Sequence, residues 1–179
     1  MKILLVEDDS FFALRITEYL ADNGIKAVTV RTTQDALAQK LDEYAGAIID
    51  VMLPNNSALS GIPPEEVRGG YLSGVALARR LRSKQANFPF VLLTSDVSGG
   101  EAHRWAKDHG HPFIFKHEDR ARLLAALADL GLVPKVERPR SFIVHGHDQS
   151  LLSEVKDYLQ NTLRWPQPTI LRDQPNGGK

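Results

Sequence analysis

Along the chain, short unbroken apolar runs alternate with longer stretches in which apolar residues recur every three or four positions. Ile3–Val6 is a continuous apolar run, the pattern of a strand buried on both faces of a parallel sheet. Ser10 then suits the cap of a helix that runs through Leu14, Ile16 and Leu20, and Asn23-Gly24 suits its stop. Ala27–Val30 predicts a second strand, and Thr33 opens a helix with Ala36, Leu37 and Leu41 on one side. Ala47–Val51 predicts a third strand, apolar throughout except for Asp50. An irregular stretch rich in Gly, Pro, Asn and Ser follows from Pro54 to Ser73. Val75–Leu81 then predicts a short amphipathic helix, with Arg79, Arg80 and Arg82 for its wet face. Phe90–Thr94 and Phe113–Phe115 predict strands four and five, and Glu101–His109 and Asp119–Leu130 the helices that follow them.

Five strand–helix units in succession predict an α/β fold, a doubly wound five-stranded parallel sheet of flavodoxin-like type with helices on both faces. Residues 132–140 carry two prolines and mixed charges, which suits a linker. The pattern then restarts as a strand at Phe142–Val144, a helix at about Leu151–Leu163 and a strand near Thr169–Leu171. A single strand–helix–strand has too little core to stand alone. Residues 141–179 therefore read as a partial second α/β unit.

Composition narrows the chemistry. Of the 179 residues, 42% are apolar and 25% charged, with formal net charge zero, so no general field draws the chain to nucleic acid or an anionic membrane. No cysteine is present, which excludes disulfides, thiolate metal sites and Cys nucleophiles. Apolar runs stay well short of the ~20 residues that span a bilayer. Glu7, Asp8 and Asp9 interrupt the first apolar run too early for a signal peptide. The expectation is a cytoplasmic protein without direct nucleic-acid or membrane contact.

In an open parallel sheet, reactive groups gather beyond the carboxyl ends of the strands. Glu7, Asp8 and Asp9 follow the first strand, Asp50 ends the third, Thr94 and Ser95 end the fourth, and Lys116 follows the fifth. Carboxylates brought together repel, and a bound divalent cation relieves that repulsion. Hard oxygen ligands with open positions favour Mg²⁺, which retains waters and accepts phosphate oxygens. Asp50 can then act as a nucleophile and form an aspartyl phosphate. Lys116 supplies positive charge and Thr94 a hydroxyl where charge develops. Helix N-terminal charge can explain Asp8 and Asp9, but not an acid directly after the apolar strand residues Ala47–Ile49. An aspartate-nucleophile phosphatase would want a second acid two residues after Asp50, where Met52 stands.

The segments Ile3-Leu4-Leu5-Val6-Glu7-Asp8-Asp9, Ile48-Ile49-Asp50-Val51-Met52-Leu53-Pro54, Leu92-Leu93-Thr94-Ser95 and Phe113-Ile114-Phe115-Lys116 resemble, in order, the motifs of response-regulator receiver domains over residues 1–131. The resemblance implies metal binding by Glu7, Asp8, Asp50 and the Met52 carbonyl, phosphorylation of Asp50, a switching hydroxyl at Thr94 and a rotating aromatic at Phe113. It also implies a sensor histidine kinase or phosphotransfer protein as partner. A homodimer through the helix over 101–109, the strand over 113–115 and the helix over 119–130 is a further expectation. Two departures stand out. His117 occupies a position where proline is common, and the 55–73 loop is longer than usual. That loop either covers the site or meets a kinase, or is a solvated insertion.

The tail carries Phe142-Ile143-Val144-His145-Gly146-His147-Asp148. A hydrolase reading lacks the Gly-x-Ser-x-Gly elbow, and Gly178-Lys179 lacks the first glycine of a phosphate-cradling loop. With Leu171-Arg172-Asp173-Gln174-Pro175-Asn176-Gly177-Gly178, this segment resembles the start of predicted nucleotide-binding, TIR-like domains. The resemblance implies a partial nucleotide pocket at Gly146, His147 and Asp148. It places the family's catalytic glutamate beyond Lys179, so no NAD hydrolysis is expected of this chain. Three functions stay open: a phosphorylation switch controlling a C-terminal, TIR-like output, a receiver-like interaction module without phosphoryl chemistry, and a fragment of a TIR-like nucleotide-binding or NAD-hydrolysing effector.

Overall fold

The computed structural model describes residues 1–54, 60–95, 100–118, 120–134, 142–145, 148–162 and 168–172. Two compact units divide at Lys135/Val136. The first holds a five-stranded parallel sheet: β1 (Lys2–Val6), β2 (Lys26–Val30), β3 (Gly46–Asp50), β4 (Phe90–Thr94) and β5 (Phe113–Phe115). Its spatial order is β2-β1-β3-β4-β5, as the doubly wound reading requires. After β2 the chain returns across β1 to start β3, so the winding reverses between β1 and β3. Such a reversal opens a crevice at the carboxyl edge of the sheet.

The helices are α1 (Ser10–Asp22), α2 (Thr33–Leu37), α3 (Ser73–Lys84), α4 (Glu101–Asp108) and α5 (Arg120–Asp129). Successive strand residues face opposite ways, and the core divides accordingly. Ile3, Leu5 and Ile48 pack with Ile16 and Leu20 of α1 and Leu123 and Leu127 of α5. On the other face Leu4, Val6 and Ile49 pack with Ala36 of α2, Leu77 and Leu81 of α3 and Ala106 of α4. Strands buried on both sides explain why the sequence shows them as unbroken apolar runs rather than alternating ones.

Two local expectations change. Asp9, not Ser10, caps α1, its Oδ1 accepting from Phe11 N at 2.9 Å and Phe12 N at 3.1 Å. Ser10 is already the first helical residue, and a cap has to precede the amides it satisfies. Leu14 is 55% exposed, because Ala13, Ile16 and Leu20 form the inward stripe of α1. Thr32 caps α2, and Leu41 lies beyond that helix in a 3₁₀ turn over Leu41–Glu43, where it is still buried.

The second unit contains β6 (Phe142–His145), α6 (Gln149–Asp157), a π turn over Tyr158–Thr162 and β7 (Thr169–Arg172). β6 and β7 pair in parallel from Phe142–Thr169 to His145–Arg172. The expected helix end at Leu163 lies outside the described residues, as does Asp119 at the expected start of α5.

Candidate functional site

Strand ends set the site. Glu7 directly follows β1 and Asp50 ends β3, so the winding reversal places one acid on each side of the crevice. β4 pairs with β3 and β5 with β4, and Lys116 N donates to Thr94 O at 2.7 Å just past the end of β5. The Lys116 side chain thereby reaches back along the edge. Its Nζ donates to Glu7 Oε1 and to Asp50 Oδ2, each at 2.8 Å. The Phe12 ring, with its centroid 4.8 Å from Nζ, lies against the same ammonium.

The acids are held tightly. Glu7 is fully buried and Asp50 is 4% exposed. Glu7 Oε1 also accepts from Asp9 N at 3.2 Å, and Asp50 Oδ1 from Met52 N at 3.2 Å. Burial, then the charge of Asp50, pushes the Glu7 carboxyl up to about 7. Burial likewise raises Asp50, although Lys116 pulls it back. Burial lowers Lys116, but its bonds to Asp50 and Glu7 outweigh that and leave it above the ordinary lysine value.

Glu7, Asp8 and Asp50 each offer an oxygen, and these oxygens lie within 4.8 Å of one another. One ammonium is paired with Glu7 and Asp50, and a third carboxyl group, that of Asp8, stands beside them. Glu7 Oε2 is buried without a hydrogen-bond partner, and an unmet buried carboxylate oxygen is costly. A hard cation with oxygen ligands answers both imbalances. The residues present therefore fit such an ion.

Thr94, at the end of β4, is buried one strand away from Asp50. Met52 is 40% exposed and lines an open cavity of about 600 Å³ with Asp8, Leu53, Val67 and Tyr71. Phe113 is half-buried, its ring 5.0 Å from that of His103 on α4. Trp105 is half-buried too, with the Arg79 guanidinium 5.1 Å from its ring. No cis peptide occurs among the described residues, so His117 follows Lys116 through a trans bond. In the second unit, Asp148 caps α6, its Oδ1 accepting from Ser150 N and Leu151 N, both at 3.0 Å. Gly146 and His147 lie outside the described residues.

Two features were not read from sequence. The described part of the long loop is packed: Ile62 and Val67 belong to the core, and Glu66 pairs with Arg80 at 2.9 Å. Two isolated apolar residues among prolines and glycines were the available signal. The second feature is Gly74. Its N–H donates to Val51 O at 2.9 Å, and a Cβ there would stand 2.0 Å from the Asp50 carbonyl oxygen. A glycine in the first turn of an otherwise good helix was the clue.

No protein-family model and no curated protein matches the sequence. Solved structures do. The BeF3-activated receiver domain of Klebsiella pneumoniae RstA is 27% identical with a TM-score of 0.54, covering 72% of this chain and 96% of that one. The non-phosphorylated HemR receiver domain from Leptospira biflexa is 22% identical with a TM-score of 0.57, covering 78% and 98%. Thermotoga maritima TrrA, solved with Mg(2+)-BeF, is 22% identical with a TM-score of 0.55, covering 72% and 97%. These similarities lend nothing to the TIR-like resemblance of residues 141–179. From its strand order to the acids at its carboxyl edge, the first unit has the receiver fold of the response regulators.

Proposed function

We propose that the protein is a two-component response regulator that takes a phosphoryl group onto Asp50 from a sensor histidine kinase or phosphotransfer protein, with Mg²⁺ at Glu7, Asp8 and Asp50. The observation that carries this reading is Lys116 Nζ held 2.8 Å from both Glu7 and Asp50 at the winding reversal. An Asp50 carboxylate oxygen attacks phosphorus, the new O–P bond forms, and the bond to the donor nitrogen breaks. The Met52 N–H and Lys116 fix the rotation of the carboxylate. When bound, Mg²⁺ neutralises phosphoryl oxygens, and the Met52 carbonyl is assigned to complete its protein ligands. Lys116 then trades contact with Asp50 for contact with the transferred group, and the Thr94 hydroxyl donates to the same oxygens.

Movement of Thr94 makes room for Phe113 to turn inward and alters the α4–β5–α5 face, which is assigned to self-association. That is a local charge event biasing a two-state element. A cytoplasmic place is proposed with this reading; among the described residues no helix is long and apolar enough to cross a membrane.

Beryllofluoride or acetyl phosphate with Mg²⁺ tests the reading. Saturable binding by the parent, lost in Asp50→Asn, is the expected result. No response at millimolar Mg²⁺ would instead favour an interaction module that works without phosphoryl chemistry.

A further inference from the structure

The described part of the insertion is fixed to α3 on one side, through the buried Ile62 and Val67 and through the Glu66–Arg80 pair. On its other side it reaches α4. The Arg68 guanidinium forms an ion pair with the carboxylate of Glu101, the first residue of α4. Arg68 sits at φ 44° and ψ 56°, a left-handed conformation that side chains rarely adopt. Gly69 and Gly70 follow with φ of 67° and 104°. This tight turn brings a charged residue where glycine would be the easy choice. Arg68 and Glu101 border a cavity of about 260 Å³ that Thr94, Val51 and Met52 also line. A second, larger cavity lies between the insertion and the acids, with Asp8 and Met52 on one side and Val67 and Tyr71 on the other.

We propose that the Arg68–Glu101 pair is a mechanical link that makes the insertion move with α4, so that the switch at Thr94 also resets the wall of the cavity beside Asp8. This rests on the phosphorylation reading and concerns the regulation of that site. Coupling of this kind is reciprocal: a partner that holds the insertion biases α4, and with it the readiness of Asp50 to accept a phosphoryl group. Both partners of the link are exposed, their side chains 64% and 45% accessible, so its effect is modest.

Amide hydrogen exchange on the full chain tests it in two stages. Without any ligand, Arg68→Ala raises exchange over residues 101–108, and Glu101→Gln raises it over residues 64–72, each by about two- to fivefold. Arg68→Gly keeps the left-handed turn without strain and gives the same rise if the guanidinium is what matters. With Mg²⁺ and beryllofluoride, the parent responds over both segments, whereas Arg68→Ala responds over 101–108 alone. Unchanged exchange in the ligand-free variants would overturn the link whatever the phosphoryl chemistry. So would a response over 64–72 that survives in Arg68→Ala. A parent that fails to bind beryllofluoride, yet shows the ligand-free coupling, refutes the Asp50 reading and leaves the mechanical link standing.

Discussion

Gly74→Ala places one methyl group against the backbone of the acceptor residue itself. An alanine Cβ would lie 2.0 Å from Asp50 O, and 2.8 Å from both Asp50 C and Val51 Cα. Ordinary contact begins near 3.4 Å, so α3 and the end of β3 have to part by about 1.4 Å, an ångström-scale shift of the kind that overpacking forces. Rotamer change gives no relief, because every atom met is main chain. Parting also weakens the Gly74 N–H bond to Val51 O, now 2.9 Å long. Overpacking and the weakened bond together cost roughly 2–4 kcal/mol. For a unit of this size that lowers the midpoint of thermal unfolding by roughly 5–15 °C. The displaced carbonyl belongs to Asp50, so the carboxylate moves as well, and beryllofluoride affinity falls about tenfold or more, as ångström-scale misplacement of a reacting group does. Circular-dichroism melts and a beryllofluoride titration read the two effects. Gly110→Ala is the control, since that glycine has positive φ but open space around it; it costs only about 1–2 kcal/mol of backbone strain and leaves affinity unchanged. A Gly74→Ala protein that melts with the parent and binds beryllofluoride equally would refute the account of how β3 is positioned.

The acid pair also sets the pH response. Glu7 is raised from 4.5 to about 7, so the fold favours its protonated form; its contribution is full below about 4.5 and is lost as pH climbs through 7. Asp50 is raised as well and acts in the same direction, whereas Lys116 is raised above 10.5 and titrates outside this window. Metal-free protein therefore loses on the order of 2–3 kcal/mol between pH 4.5 and 7.5 from this site, an effect that Glu7→Gln flattens and Mg²⁺ opposes. Melts across that range, with and without Mg²⁺, check it, and a metal-free stability that rises with pH and is indifferent to Glu7→Gln would contradict it. On α1, Leu20→Ala costs about 2–5 kcal/mol, whereas Leu14→Gln stays within about 0.5 kcal/mol, because Leu20 is fully buried and Leu14 is half in solvent. Urea unfolding of the two variants distinguishes these outcomes.

Much of the architecture was legible in the amino-acid order. Strands buried on both faces have to be apolar without interruption, so Ile3–Val6, Ala47–Ile49 and Phe90–Leu93 declare themselves, and Asp50 stands out by breaking the rule at a strand end. Helix ends were less legible. Leu41 fits a helical period with Ala36 and Leu37, yet a three-dimensional neighbour, not the period, decides where a helix stops. Capping was misplaced by one residue for the same reason: Asp9 and Ser10 are both good caps, and only the direction of the entering chain selects between them.

Sequence alone determined that acids follow the first and third strands and that a lysine follows the fifth. Only the tertiary structure decided that one ammonium bridges Glu7 and Asp50, that Glu7 Oε2 is left without a partner, and that Ile62 and Val67 turn the described part of the insertion into a wall. The physical reason is distance along the chain. Burial, pairing and close approach between residues 66 or 109 positions apart depend on how the sheet is wound, and no local pattern of side chains encodes that.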